Sequence, residues 1–437
     1  MKLSRSVFLL CLFFGSRPIL AEEPIGGTEQ SVSFSLSGKS LEEIQTHSNE
    51  KLKQATVYEL MGWDKNDKNI DRFTIDFHTK GKEKEPHSFL YLPDVTTLTT
   101  KSAKTIVQFK GFNVYLDGLS NISVEVAKEL TTFRGSLHLN GLSSISAEVA
   151  KELAQFKGRK LYLNGLSSIS VELAKQLAQF NSKHLALRGL SSISAEVAKE
   201  LAASKALYLY LDGLSSISVE VAKELATFKE DSLYLNGLSN ISLEIAKQLA
   251  QFRSSYIYLD GLSSIPVEIA KELATFRGDG LYLSGVPSIS VEATKELAQF
   301  NGSLYLNGLS SIPVEIAKEL ATFKGSSLLL NGLSNISVEL AKELSLFTGQ
   351  HLSLKGLTRL DEDTAKALAT FKGQELYLDG LSTLTVEEAK QLAQFKVDDL
   401  HLFGLSSISE AAAEELAKCQ CTIFTLPSTS SQIKRYK

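Results

Sequence analysis

The stretch LYLNGLSSISVELAKQLAQF, Leu161 to Phe180, decides the fold, because the chain repeats it with small changes from residue 90 to residue 426. Its glycine, Gly165, recurs at Gly118, Gly141, Gly189, Gly213, Gly237, Gly261, Gly285, Gly308, Gly332, Gly356, Gly380 and Gly404. The gaps are 24 residues, except for two of 23, and an earlier unit places Asp94 in the glycine slot. A fixed period in this range marks a solenoid, in which each unit hides its apolar face only by stacking on its neighbours.

Within the unit, Leu161-Tyr162-Leu163 alternates inward and outward like a short half-buried strand. Asn164-Gly165 turns the chain, glycine being tolerant of unusual backbone angles, and Leu166 and Ile169 return to the core. Ser170 stands where a helix cap is expected; Thr385 and Asp361 take that slot elsewhere, and Pro266 and Pro313 also suit a helix start. Leu173, Ala174, Leu177 and Phe180 then fall on one side of a helix, with Glu172, Lys175, Gln176 and Gln179 on the other. A phenylalanine closes the helix in twelve of fourteen units, Ser204 and Cys419 being the exceptions, so an internal aromatic spine is expected.

The pattern L-x-L-x-x-L-x-x-I-[ST]-x-x-x-A-x-x-L-A resembles the leucine-rich-repeat family, closest to its cysteine-containing type, over about three quarters of the chain. The resemblance implies an α/β solenoid of about 14 repeats, a curved parallel sheet inside and helices outside. It departs in one slot, where Leu166 and its equivalents replace the family's hydrogen-bonding Asn or Cys, so an apolar ladder is expected there.

Residues 1–21, MKLSRSVFLLCLFFGSRPILA, read as a signal peptide with a basic start and a short apolar run. They imply export, and no later stretch is apolar and long enough to span a membrane. Their removal shifts the formal charge from −4 to −7. That acidic balance argues against a nucleic-acid partner. Residues 22–88 fall outside the repeat and are expected to cap the apolar end of the array; strands are expected around Val32–Leu36 and Phe73–Phe77, with a helix over 40–60. Residues 89–426 form the solenoid with a closing strand, and 427–437 are expected to be a disordered tail. Cys419 and Cys421 are two apart, which favours a buried thiol in the phenylalanine slot over a bridge.

The outward strand position is tyrosine in nine of fourteen units, and two residues later nine units carry Asn or Asp. The candidate partner-binding residues are therefore Tyr115, Tyr162, Tyr210, Tyr234, Tyr258, Tyr282, Tyr305 and Tyr377, with Asp212, Asn236 and Asp260 beside them. With strands about 4.8 Å apart such a row runs roughly 60 Å and suits a protein, an extended peptide or a glycan. Tyrosine is equally a good strand residue that supports its cross-strand neighbours, so the row has a purely structural explanation too. Ala186 with Arg188, Leu329, and Ser353 with Lys355 interrupt it.

No chemistry is expected elsewhere. His138 and His184 lie two units apart, near 10 Å by strand spacing, too far to share a metal. The acidic run Asp64–Asp71 lacks the glycine and the final glutamate of a calcium loop. No G-x-S-x-G, P-loop or H-E-x-x-H is present. The expectation is a non-catalytic interaction module without metal or cofactor. The rivals are a structural component acting by self-association and an enzyme in residues 22–88 with Asp64, Asp67 or His78 at its centre.

Overall fold

In the computed structural model the described residues are 30–35, 74–79, 87–93, 95–109, 111–396 and 398–436. The expected signal peptide, the helix over 40–60 and the 64–71 loop lie outside them. So do the side chains of 74–79, His78 among them.

Strands β1 (Gln30–Ser35) and β2 (Thr74–Thr79) pair antiparallel, and β2 pairs antiparallel with β3 (His87–Tyr91). From β3 onward every strand pairs parallel with the next. They run in chain order from β4 (Asn113–Tyr115), through three-residue strands such as Lys160–Tyr162, to β17 (Thr422–Thr425). Short helices alternate with them, and the architecture is a leucine-rich-repeat solenoid of fourteen to fifteen units.

The local reasons match the repeat. Ser170 Oγ accepts the Leu173 amide at 3.1 Å, and Asp361 and Thr385 cap their helices in the same way. Pro266 and Pro313 occupy the capping position itself and forgo that bond. Leu161, Leu163, Leu166, Ala174, Leu177 and Phe180 are fully buried, while Glu172, Lys175 and Gln179 are exposed. All the repeats contribute to one continuous apolar core.

The role of the turn glycines differs from expectation. None has a positive φ; a Cβ on Gly237 would instead lie 2.6 Å from the Leu214 carbonyl oxygen and closer still to that of Asp212. What the position demands is room for the preceding repeat's backbone, not left-handed geometry.

The array fans outward. Neighbouring tyrosine and histidine rings at the last strand position, on the inner face, stack at 3.7 to 4.1 Å, whereas successive phenylalanines on the helix side lie 5.9 to 6.4 Å apart. The strand spacing of about 4.8 Å falls between the two, as a sheet curved toward its inner face requires. The leucine sheet therefore lies between a compressed inner ring stack and a looser outer aromatic layer.

Two expectations at the C-terminal end are corrected. Cys419 and Cys421 form a disulfide, with Cα atoms 5.3 Å apart, and both are buried. Residues Pro427–Ile433 form a helix instead of a disordered tail, because Ile433 and Thr429 bury against the last repeat and Thr429 Oγ1 donates to the Leu405 carbonyl at 2.8 Å. Among the described residues no helix is long and apolar enough to cross a membrane.

Candidate binding face

The strand position between two buried leucines points to the inner face, so the repeat brings the tyrosines into one file. They form three runs of stacked rings. The first is Tyr91, Tyr115, His138 and Tyr162; the second is Tyr210, Tyr234, Tyr258, Tyr282 and Tyr305. The third is Tyr377, His401 and Phe424. Ala186 separates the first two, and Leu329 with Ser353 separates the last two.

This stacking changes what the face offers. Each interior ring has both π faces covered and is only half-exposed, while Tyr162 and Tyr210, the ends of adjoining runs, are buried by packing around Ala186. Ring edges and hydroxyls are what remain. Burial, reinforced by the neighbouring phenols, pushes the hydroxyls of Tyr234 and Tyr282 far above the usual phenol range, so they stay protonated hydrogen-bonding groups.

The Asn and Asp file is largely a backbone device. Asp212 Oδ1 accepts the Asn236 amide at 3.1 Å, Asn236 Oδ1 that of Asp260 at 3.0 Å, and Asp260 Oδ1 that of Ser284 at 2.6 Å. Asp117, Asn140, Asn164, Asn307, Asn331 and Asp379 do the same for the repeat that follows each. The expected apolar leucine ladder is present and buried, but a polar ladder runs two residues before it. One oxygen of each of the candidates Asp212, Asn236 and Asp260 is thus committed to holding repeats in register.

Where the ladder residue is basic, the gap is filled by charge. Arg188 Nε bonds Asp212 Oδ2 at 2.8 Å and its guanidinium lies 4.6 Å from the Tyr210 ring. Lys355 repeats this with Asp379 at 3.1 Å and the Tyr377 ring at 4.9 Å. In both repeats the tyrosine slot is small, Ala186 and Ser353, so the cation takes the place of the missing ring.

A second inner-face file, at the first strand position, was not singled out in the sequence. Ser303 and Ser327 form the low floor of a groove of about 880 Å³, walled by Tyr256, Tyr305 and His351. The signal was a run of small residues between bulky ones in that column. At one end of the groove Ser327 Oγ meets His351 Nδ1 at 2.9 Å, and His351 Nε2 meets Glu375 Oε1 at 3.2 Å. That chain resembles a hydrolytic triad only in composition: Ser327 is 7% exposed and lies in a strand paired on both sides.

The stacked histidines give a direct test of this burial. Burial, with Lys160 nearby, lowers His138 to about 3, and burial with Lys160, Lys183 and Arg188 lowers His184 to about 4. Both values lie below the unfolded value of about 6.5, so the unfolded chain binds the extra protons between. The stabilisation is therefore complete above pH 6.5 and is lost as pH falls through the folded values. Imidazole resonances followed by NMR should stay flat from pH 8 to 5 for His138 and His184. A His138 midpoint near 6.5 would show that its ring is not held in the stack.

The sequence matches no protein-family model, and no curated protein is matched either. Among solved structures, similarity is found to "Structure of the Toll - Spatzle complex, a molecular hub in Drosophila development and innate immunity". The identity is 12% and the TM-score 0.43, over 81% of this chain and 52% of that chain. The glycosylated form of the same complex gives 12% and 0.44, over 81% and 51%, so this chain spans about half the length of the Toll chains. A third, "Crystal structure of TLR13-ssRNA13 complex", gives 14% and 0.41 over 78% of this chain and 67% of that one. At these identities and scores the likeness is one of repeat architecture and identifies no ligand.

One expectation is nevertheless corrected. The acidic balance argued against a nucleic-acid partner, yet the TLR13–ssRNA13 complex places single-stranded RNA with an array of this general kind. Net charge sums over the whole surface and does not describe one patch; here Lys160, Lys183 and Arg188 all act on His184. The exclusion is withdrawn.

Proposed function

We propose that the protein is a non-catalytic binding array that takes an extended partner along its inner face and anchors it in the groove floored by Ser303 and Ser327. The observation that carries this reading is the groove itself. It is concave and polar-lined, beside a run of tyrosine edges and protonated hydroxyls. The covered ring faces favour a polypeptide partner, recognised by hydrogen bonds and edge contacts, over a glycan that would need an open aromatic face to stack on. Tyr234, Tyr258, Tyr282 and Tyr305 stand nearest in this role; Tyr115, Tyr162, Tyr210 and Tyr377 extend the face on either side. The reading also takes the chain to be exported, on the strength of residues 1–21.

The test is chemical cross-linking of the full chain in surface extracts of the cells that produce it, alongside two folded variants. Ser303→Arg fills the groove, and a joint Tyr210, Tyr234, Tyr258 and Tyr282→Ser change strips the central hydroxyl run. A partner held by the parent and lost at least tenfold by Ser303→Arg is the expected result. Capture by both variants at the level of the parent overturns the reading. A captured glycan in place of a polypeptide would correct the partner class.

A second reading, self-association as a structural component, is favoured by one observation. Phe403, Phe424 and Leu426 are 46%, 37% and 36% exposed beside β17, whose outer edge pairs with no strand among the described residues. Sedimentation of the parent and of Phe424→Ser separates the two. Concentration-dependent assembly abolished by Phe424→Ser, with no inner-face partner, would favour the structural role.

A further inference from the structure

We propose that Glu375, Asp399 and His401 form a binding site for a divalent transition-metal ion of the zinc class, at the C-terminal end of the inner face. The register of two adjacent strands builds it. Glu375 pairs directly with Asp399, and Tyr377 with His401, so all three candidate ligands project from the same face of neighbouring strands. One ligand atom from each lies within 4.8 Å of the others.

Two independent features of the cluster call for a cation. The first is the carboxylate pair. Like charges directly opposite across a sheet are destabilising, and at no other pair of adjacent strands from β4 onward do two acidic residues oppose each other in this column. The nearby Lys355 does not offset the repulsion, since it is engaged with Asp379 at 3.1 Å. The second is His401. Its imidazole is held between the Tyr377 ring at 4.0 Å and the Phe424 ring at 4.7 Å, and its side chain is 12% exposed. Neither ring nitrogen makes a hydrogen bond, although both are shut off from solvent, and Nε2 stands 3.6 Å from Glu375 Oε2. Buried polar nitrogens without a partner are rare in folded proteins, and a site for an ion is one of the few ordinary reasons for them.

The surroundings already orient the ligands. Tyr377 Oη donates to Glu375 Oε2 at 2.5 Å, and His351 Nε2 lies 3.2 Å from Oε1, itself fixed through Nδ1 by Ser327. Such outer contacts to a ligating carboxylate are typical of metal sites and tune affinity by 10- to 100-fold. One imidazole nitrogen with two carboxylate oxygens selects zinc or its neighbours over calcium, which prefers oxygen alone. Three protein ligands leave a position open to water or to a partner's own donor group. Zinc requires ligand distances of about 2.0 to 2.2 Å, so binding would draw the three donors, now within 4.8 Å of one another, closer together.

The experiment uses the full chain without an affinity tag, stripped with a chelator under non-reducing conditions and titrated with Zn²⁺ by calorimetry near pH 7.5. One saturable site of micromolar affinity or tighter is expected, with Co²⁺ giving a visible d–d spectrum in the same site. Asp399→Asn and His401→Gln should each weaken Zn²⁺ at least tenfold and remove the rise in thermal midpoint that Zn²⁺ gives the parent. His184→Gln, eight and more strands away, should bind as the parent does. Absence of saturable binding below millimolar Zn²⁺, or equal affinity in His401→Gln, would overturn the proposal. Because the parent alone can give the first of these results, the test does not depend on how well the variants fold.

Discussion

Replacing Phe300 by alanine is expected to cost about 3 to 5 kcal/mol, the range for truncating a fully buried aromatic ring. Phe300 has no exposed surface, sits 5.9 Å from the Phe276 ring, and closes a helix against the sheet. Because the outer layer is fanned, neighbouring rings are already spaced beyond close stacking, and they cannot collapse into the space without straining the curve. The chain shows the local alternative at Ser204, which is buried in the same slot and bonds the Ala206 amide through its hydroxyl at 3.2 Å. Alanine at 300 has no such bond to make. Chemical denaturation followed by circular dichroism measures the loss. In a linear array the damage should also divide the transition into two steps, since coupling passes only between neighbours. A loss under 1 kcal/mol would mean that the aromatic layer is dispensable filler.

Gly237→Ala is expected to be nearly as severe, about 3 kcal/mol or more, although it adds a single methyl group. Overpacking ordinarily costs about 1 to 3 kcal/mol when side chains can shift. Here the new Cβ would meet the backbone oxygens of Asp212 and Leu214, which are fixed by the sheet and by the polar ladder from Asp212 to the Asn236 amide. The two repeats must separate, and the ladder bond goes with them. Limited proteolysis should then cut near residues 212–237, a region that should resist cleavage in the parent, whereas the exposed control Ser239→Ala should leave both stability and cleavage unchanged. Full stability in Gly237→Ala would show that the turn, not the packing between repeats, sets this residue.

Much of this was legible in the sequence for a simple reason. A period of 24 residues makes every unit report on every other, so a weak local signal read fourteen times becomes a strong one. The buried leucines, the serine caps and the phenylalanine column each follow from a pattern within a single unit. The file of tyrosines follows too, since strand alternation fixes which way residue 162 points. The groove was harder to see because it depends on Ser303 and Ser327, small residues of two different repeats that matter only by standing next to each other between bulky neighbours.

The sequence by itself therefore determined the solenoid, its register and which residues share a face, because those follow from periodicity and from the alternation of a strand. Only the tertiary structure decided how that face is used up. Curvature brings the inner rings to within 3.7 to 4.1 Å, covering their faces, and turns a row of apparent binding residues into a stack of edges and hydroxyls. It likewise assigned the Asn and Asp file to the backbone ladder and brought Glu375, Asp399 and His401 together across strands 24 residues apart in the chain. Those outcomes depend on distances between repeats, which no single unit of sequence contains.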